Sequence, residues 1–208
     1  MPVKQKMQFD NPETMTKPVA TMRKHRKTTK DKLVEAAAYL IHRRGYHGVG
    51  LTEILTLAKA PKGVLYHHFP GGKPELAVAA INLAAQIFDK QVREATAKAR
   101  TPSAYVKILG KLTIDDLVAT KFKAGCPLTT VALETAPDDA ALSEACRQGF
   151  DLWIGTMTED FTRLGVKNAA AKAELVLSTL EGALAIARTR KDAEVINSTA
   201  AMLAKQIG

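Results

Sequence analysis

Lys62, Tyr66, His67 and His68 crowd into one short stretch, KGVLYHH, and these residue types suit two chemistries. Imidazoles serve as general bases or metal ligands. Lysine and tyrosine beside them equally suit hydrogen bonding to phosphate oxygens and base edges. Catalysis would need a nucleophile within reach and a group to orient the base. All five histidines (His25, His42, His47, His67 and His68) precede residue 69, whereas Cys126 and Cys146 follow it. No triad or metal motif connects them. The expectation is no catalytic residue, no bound metal, no cofactor and no enzyme. A redox sensor built on Cys126 and Cys146 stays open as an alternative, but it requires an accessible thiol of low pKa. The apolar surroundings of Cys126 predict a buried, inert one.

The charge distribution favours the polyanion-binding chemistry. The chain of 208 residues carries a net charge of +9, and residues 1–73 hold 14 Lys+Arg against 5 Asp+Glu, which is the whole excess. The remaining 16 basic and 16 acidic side chains cancel. A basic module joined to an electrically ordinary one is expected, with nucleic acid as its partner. At 46% apolar and 25% charged the composition is that of a globular protein. No apolar run approaches the length of a membrane span and no apolar stretch follows the basic N-terminus, so a cytoplasmic protein with no membrane partner is expected.

The elements that must position these residues are helical. Residues 1–27 lack periodicity and read as a flexible basic arm, with Arg23, Lys24, His25, Arg26 and Lys27 suited to phosphates or a minor groove. Thr28 or Thr29 caps a helix to Arg44, with Leu33, Val34, Ala37, Leu40 and Ile41 on one face and Gly45 as its stop. A second helix spans about 51–58, with Leu51, Ile54, Leu55 and Ala58 inward. After a turn at Lys59 and Ala60, Pro61 is suited to the first position of a third helix to about Phe69. That helix should bury Val64, Leu65 and Phe69 and keep Lys62, Gly63, Tyr66 and His67 outside. Two short helices joined by a tight turn and braced by a longer one make a helix-turn-helix.

Residues 28–80, and AAAYLIHRRGYHGVGLTEILTLAKAPKGVLYHHFPGGKPEL within them, resemble the DNA-binding domain of the TetR family of transcriptional regulators. The resemblance implies separate roles for seven residues. Thr28 and Thr52 touch the DNA, Lys62 and Gly63 approach base edges, Tyr66 and His67 reach mainly phosphate, and Lys73 matches the family's phosphate-binding lysine. His68 and Phe69 are expected to pack inward. Gly50 departs from the usual Ser or Thr cap, and Lys59 from the usual turn glycine; a left-handed Lys59 would carry roughly 1 kcal/mol of strain.

Residues 81–208 are expected to form a larger all-α domain for dimerisation and ligand binding, with long helices at about 140–164 and 168–188. The stretch from GCPLTTVALETAPDD to TEDFTRLG is similar to the C-terminal domain of the TetR subgroup that includes LmrA. The resemblance implies a homodimer on a palindromic double-stranded operator, a repressor role, and release by a small apolar or aromatic effector. The long late helices should form the dimer face, through a run that includes Leu175, Leu177, Leu180, Gly182, Ala183, Leu184, Ile186 and Ala187. Candidate pocket residues are Phe88, Tyr105, Leu109, Leu112, Phe122, Cys126, Val131, Phe150, Trp153 and Met157, with Thr130 and Glu134 as polar groups.

Overall fold

The computed structural model describes residues 27–207, and these form nine α-helices and no strand. Of the basic cluster at 23–27, residues 23–26 lie outside the described residues, and Lys27 pairs with Glu35 at 2.8 Å. Helix α1 (Thr29–Arg44) starts in a reciprocal capping box. The Thr28 hydroxyl accepts from the Asp31 amide at 3.2 Å, and Asp31 Oδ2 accepts from the Thr28 amide at 2.9 Å. These Thr28 hydrogen bonds hold the Asp31 carboxyl below its ordinary pKa. Leu33, Ala37, Leu40 and Ile41 are buried as their spacing requires.

Helix α2 (Leu51–Ala58) has Gly50 as a cap without a side-chain acceptor. Lys59 closes it in the left-handed region, at φ 52° and ψ 43°. Helix α3 (Lys62–His68) follows. Pro61 is its cap, not its first residue: its φ of −67° suits a helix, but its ψ of 150° is extended. The Arg44–Glu53 ion pair at 2.5 Å ties α1 to α2.

Helix α4 (Lys73–Thr96) passes without a break from the helix-turn-helix into the C-terminal domain. It ends at Thr96, whose hydroxyl turns back to the Val92 carbonyl at 2.7 Å. Helix α5 (Pro102–Ala119) starts where the Thr101 hydroxyl caps the Ala104 amide and Pro102 takes the first turn. Helices α6 (Pro127–Thr135), α7 (Ala140–Arg163), α8 (Ala169–Arg190) and α9 (Glu194–Ile207) complete the bundle. Asp139 caps α7 by accepting from the Leu142 amide at 3.0 Å. The main packing pairs are α5 with α9, α4 with both α7 and α1, and α8 against both α7 and α9. Trp153 Nε1 donates to the Ala85 carbonyl at 2.9 Å and locks α7 to α4.

Lys59 tests the local energetics. Lys59→Gly removes the Cβ clash of the left-handed conformation and should stabilise the fold by up to about 1 kcal/mol, after allowance for glycine's extra freedom when unfolded. A rise in Tm of up to about 4 °C is expected in a thermal melt. An unchanged or lowered Tm would show that Lys59 is not strained.

Candidate nucleic-acid interface and an inner cavity

Helix α3 is held by its inner side. Leu65 and Phe69 are buried, Val64 is half-buried, and Lys30 places its ammonium 5.7 Å from the Phe69 ring centre. The opposite side is open. Lys62, Gly63 and His67 are exposed, Tyr66 is 45% exposed, and no atom lies near the position of a Cβ on Gly63. His68 is half-buried and meets His67 edge to face at 5.0 Å. Thr52 is exposed on α2. These groups offer an ammonium, a phenol, an imidazole and an unobstructed backbone on one short helix, a set suited to a groove.

Two other expected contacts have prior commitments. The Thr28 hydroxyl donates to Asp31 Oδ2 at 2.8 Å while accepting from the Asp31 amide, so it serves the α1 cap at both ends. Lys73, the first residue of α4, is half-buried with its Nζ 4.2 Å from the Tyr46 ring centre. Burial lowers its pKa, and the nearby Glu134 carboxylate acts in the opposite direction.

Glu134 is not a pocket residue. It projects from α6 to the turn after α1, where Oε2 accepts from the Tyr46 amide at 2.5 Å and the His47 amide at 3.2 Å. Gly45 makes room for it, since a Cβ there would lie 2.0 Å from Glu134 Oε1 and its φ of 73° is left-handed. A second link joins His42, buried on α1, to Asp116 on α5, with Nε2 and Oδ2 3.1 Å apart.

An inner cavity of about 60 Å³ lies between α4, α5, α7, α8 and the start of α6. Of the expected pocket residues, Phe88, Cys126 and Trp153 line it. Phe88 packs on Trp153 with ring centres 4.6 Å apart. The other seven do not line it. Tyr105 meets Phe161 edge to face at 5.3 Å, and Leu109, Val131 and Met157 are also buried core. Leu112, Phe122 and Phe150 are partly buried against that core. Thr130 is also absent from the lining, and the polar groups there are Thr113, Asp116 and Glu181. Asp116 and Glu181 escaped the sequence reading. A signal was available, since Glu181 is a lone acid in the apolar run of α8 and Asp116 sits in the otherwise largely apolar α5.

Burial raises the Glu181 carboxyl above its ordinary pKa, while hydrogen bonds from Thr129 and Cys126 partly oppose the shift. Both cysteines are buried free thiols. Burial pushes Cys126 well above the ordinary thiol range, and pushes Cys146 up to about 11. Among the described residues no group of three or more His, Cys, Asp or Glu side chains is arranged to hold a metal ion, and no helix is long and apolar enough to cross a membrane.

Comparison with known proteins assigns both halves. Residues 33–80 match the family of bacterial regulatory proteins named tetR, and residues 102–202 match the LmrA/YxaF-like C-terminal domain of transcriptional regulators. The HTH-type transcriptional regulator LmrA of Bacillus subtilis is 29% identical over 166 residues, covering 79% of this chain and 88% of LmrA. YxaF of the same organism, also an HTH-type transcriptional regulator, is 30% identical over 170 residues, covering 79% and 87%. The crystal structure of the regulatory protein TetR from Rhodobacter sphaeroides superposes with a TM-score of 0.76 at 22% identity, over 88% of this chain and 100% of that one. Together with the helix-turn-helix and the helical domain behind it, these matches show that the chain belongs to the TetR family of DNA-binding transcriptional regulators.

Proposed function

We propose that this regulator is a repressor that binds a palindromic operator as a homodimer and leaves it when a small molecule occupies the inner cavity. The observation that carries the reading is the direct tie between cavity and reading head: Asp116 lines the cavity and also bonds to His42 of α1. A ligand that prefers an opened cavity changes the geometry that presents α3, and by that difference in affinity it shifts the population away from the DNA-bound form. Operator binding by the purified protein, measured with and without a panel of small aromatic compounds, tests this. Release by none of them would remove the ligand-responsive part of the reading.

The contact roles divide by what each residue offers. Lys62 and Gly63 face base edges, with Thr52, Tyr66, His67 and Lys73 directed mainly to phosphates. Lys62→Ala should cost about 1–3 kcal/mol on the operator and relax its sequence preference. Lys73→Ala should weaken all sequences alike and reduce the salt dependence by about one ion. Binding isotherms at several salt concentrations, on operator and on unrelated DNA, separate the two. Uniform loss in both variants would exclude base reading by Lys62.

A dimer face is supported on α7 and α8. In the run 175–187 of α8, Leu177, Leu180, Ala183, Leu184 and Ala187 are buried core, whereas Leu175 and Ile186 are each 47% exposed beside exposed Ser178, Gly182 and Ala185. Gly182, like the half-buried Gly155 on α7, has open space where a side chain would stand, which lets a second backbone approach closely. Gly182→Leu should leave the helix content intact and shift the protein to monomers in sedimentation analysis, with loss of operator binding. An unshifted dimer would place the interface elsewhere.

Burial speaks against the redox alternative. A thiol pushed up to about 11, as Cys146 is, or well above the ordinary range, as Cys126 is, holds almost no thiolate at neutral pH. In the folded protein Cys126 and Cys146 should resist a disulfide-exchange reagent such as DTNB, and both should react after denaturation. Rapid labelling of either in the native state would restore the redox reading.

A further inference from the structure

The cavity walls carry an unusual charge balance for an apolar pocket. Glu181 from α8 and Asp116 from α5 both line it, and no lysine, arginine or histidine does. Arg188 passes beside Gly125, but its Nη2 is held by the Lys123 carbonyl at 3.0 Å. Glu181 Oε2 accepts from the Thr129 hydroxyl at 2.6 Å and the Cys126 thiol also bonds to it, and both partners are neutral. Asp116 directs Oδ2 to His42, while its Oδ1 is buried and meets no hydrogen-bond partner among the described residues. An unsatisfied buried carboxylate oxygen is costly unless something arrives to satisfy it. Phe88 and Trp153 line the same cavity, and aromatic faces attract cations.

We propose that the cavity takes an aromatic organic cation, with its positive charge set between Glu181 and Asp116 and its ring against Trp153 and Phe88. This deepens the ligand-responsive reading above and rests on it. A neutral hydroxyl would satisfy the free Asp116 oxygen but bring no positive charge to the two acids, whereas a cation does both. The cavity of about 60 Å³ holds only a few water molecules as it stands. An aromatic ligand therefore enters only as Phe88, Pro127 and their helices give way.

Trp153 is the only tryptophan in the chain and it lines the site, so its fluorescence reports occupancy. The full-length protein is titrated with benzyltrimethylammonium and with neopentylbenzene, its uncharged isostere. The ammonium probe is expected to perturb Trp153. Glu181→Gln should weaken it by about ten-fold or more relative to neopentylbenzene, and Asp116→Asn should lower the same ratio. Circular dichroism and melting check that each variant folds, and either folded variant suffices for the comparison. The proposal is overturned if the ammonium probe leaves Trp153 unperturbed, or if the cation-to-neutral ratio is unchanged in the folded variants. Operator binding is followed in parallel. Release by neopentylbenzene with no cation preference defeats the cation assignment and keeps ligand response. Cation binding without release keeps the assignment and defeats the response.

Discussion

One carboxylate, Glu134, fixes how the reading head sits on the domain behind it. The chain leaves α1 through a turn in which the amides of Tyr46 and His47 need an acceptor, and α6 supplies it. Hydrogen bonds to an ionised acceptor are worth about 1.5–3 kcal/mol each, so this contact outweighs most single surface interactions. Lys73 adds positive charge on the same side from the start of α4, with its stem against Tyr46. A single acidic side chain thereby gathers the end of α1, the beginning of α4 and the end of α6. Gly45 belongs to the same arrangement, because any side chain there would displace the carboxylate.

The other end of α6 explains why that clasp matters. Cys126 caps the helix and Pro127 opens it, and both line the cavity. Pro127 in the wall and Glu134 in the clasp share this one helix, about 10 Å apart at the rise of an α-helix. Widening the cavity at Pro127 thus tilts or shifts the group that holds the α1 turn. The Asp116–His42 pair adds a second tie, from α5, and its acid is itself part of the wall. Two helices that border the cavity each hold α1 through a carboxylate. A packed interior passes such displacements on because it has little free volume to absorb them.

Much of this architecture was legible in the residues. Thr28, Gly45 and Asp139 mark helix ends by their own chemistry, and the spacing of Leu33, Ala37, Leu40 and Ile41 named the buried face of α1. The outward set on α3 followed from the same periodicity. The cavity was only partly legible, for a physical reason. Periodicity tells which face turns inward; it does not tell whether inward neighbours close on one another or leave a void. Tyr105 and Phe161 close, whereas Phe88 and Trp153 border space. Glu134 could not be placed from sequence, because its partners lie 87 and 88 residues away and are backbone amides that no residue type announces.

Lys73 carries the last step. If it takes a phosphate, as its place at the head of α4 suits it to do, the same ammonium faces two anions: the DNA backbone in front and Glu134 behind. Its partial burial makes the ammonium costlier than in water, so each anion that approaches lowers that cost. The two anions repel across the one charge they share, so the Glu134 carboxylate reduces what Lys73 can offer a phosphate, while the Tyr46 and His47 amides keep that carboxylate in place. The side chain that clasps the α1 turn thereby also sets how strongly the head of α4 attracts DNA, with no element needing to unfold.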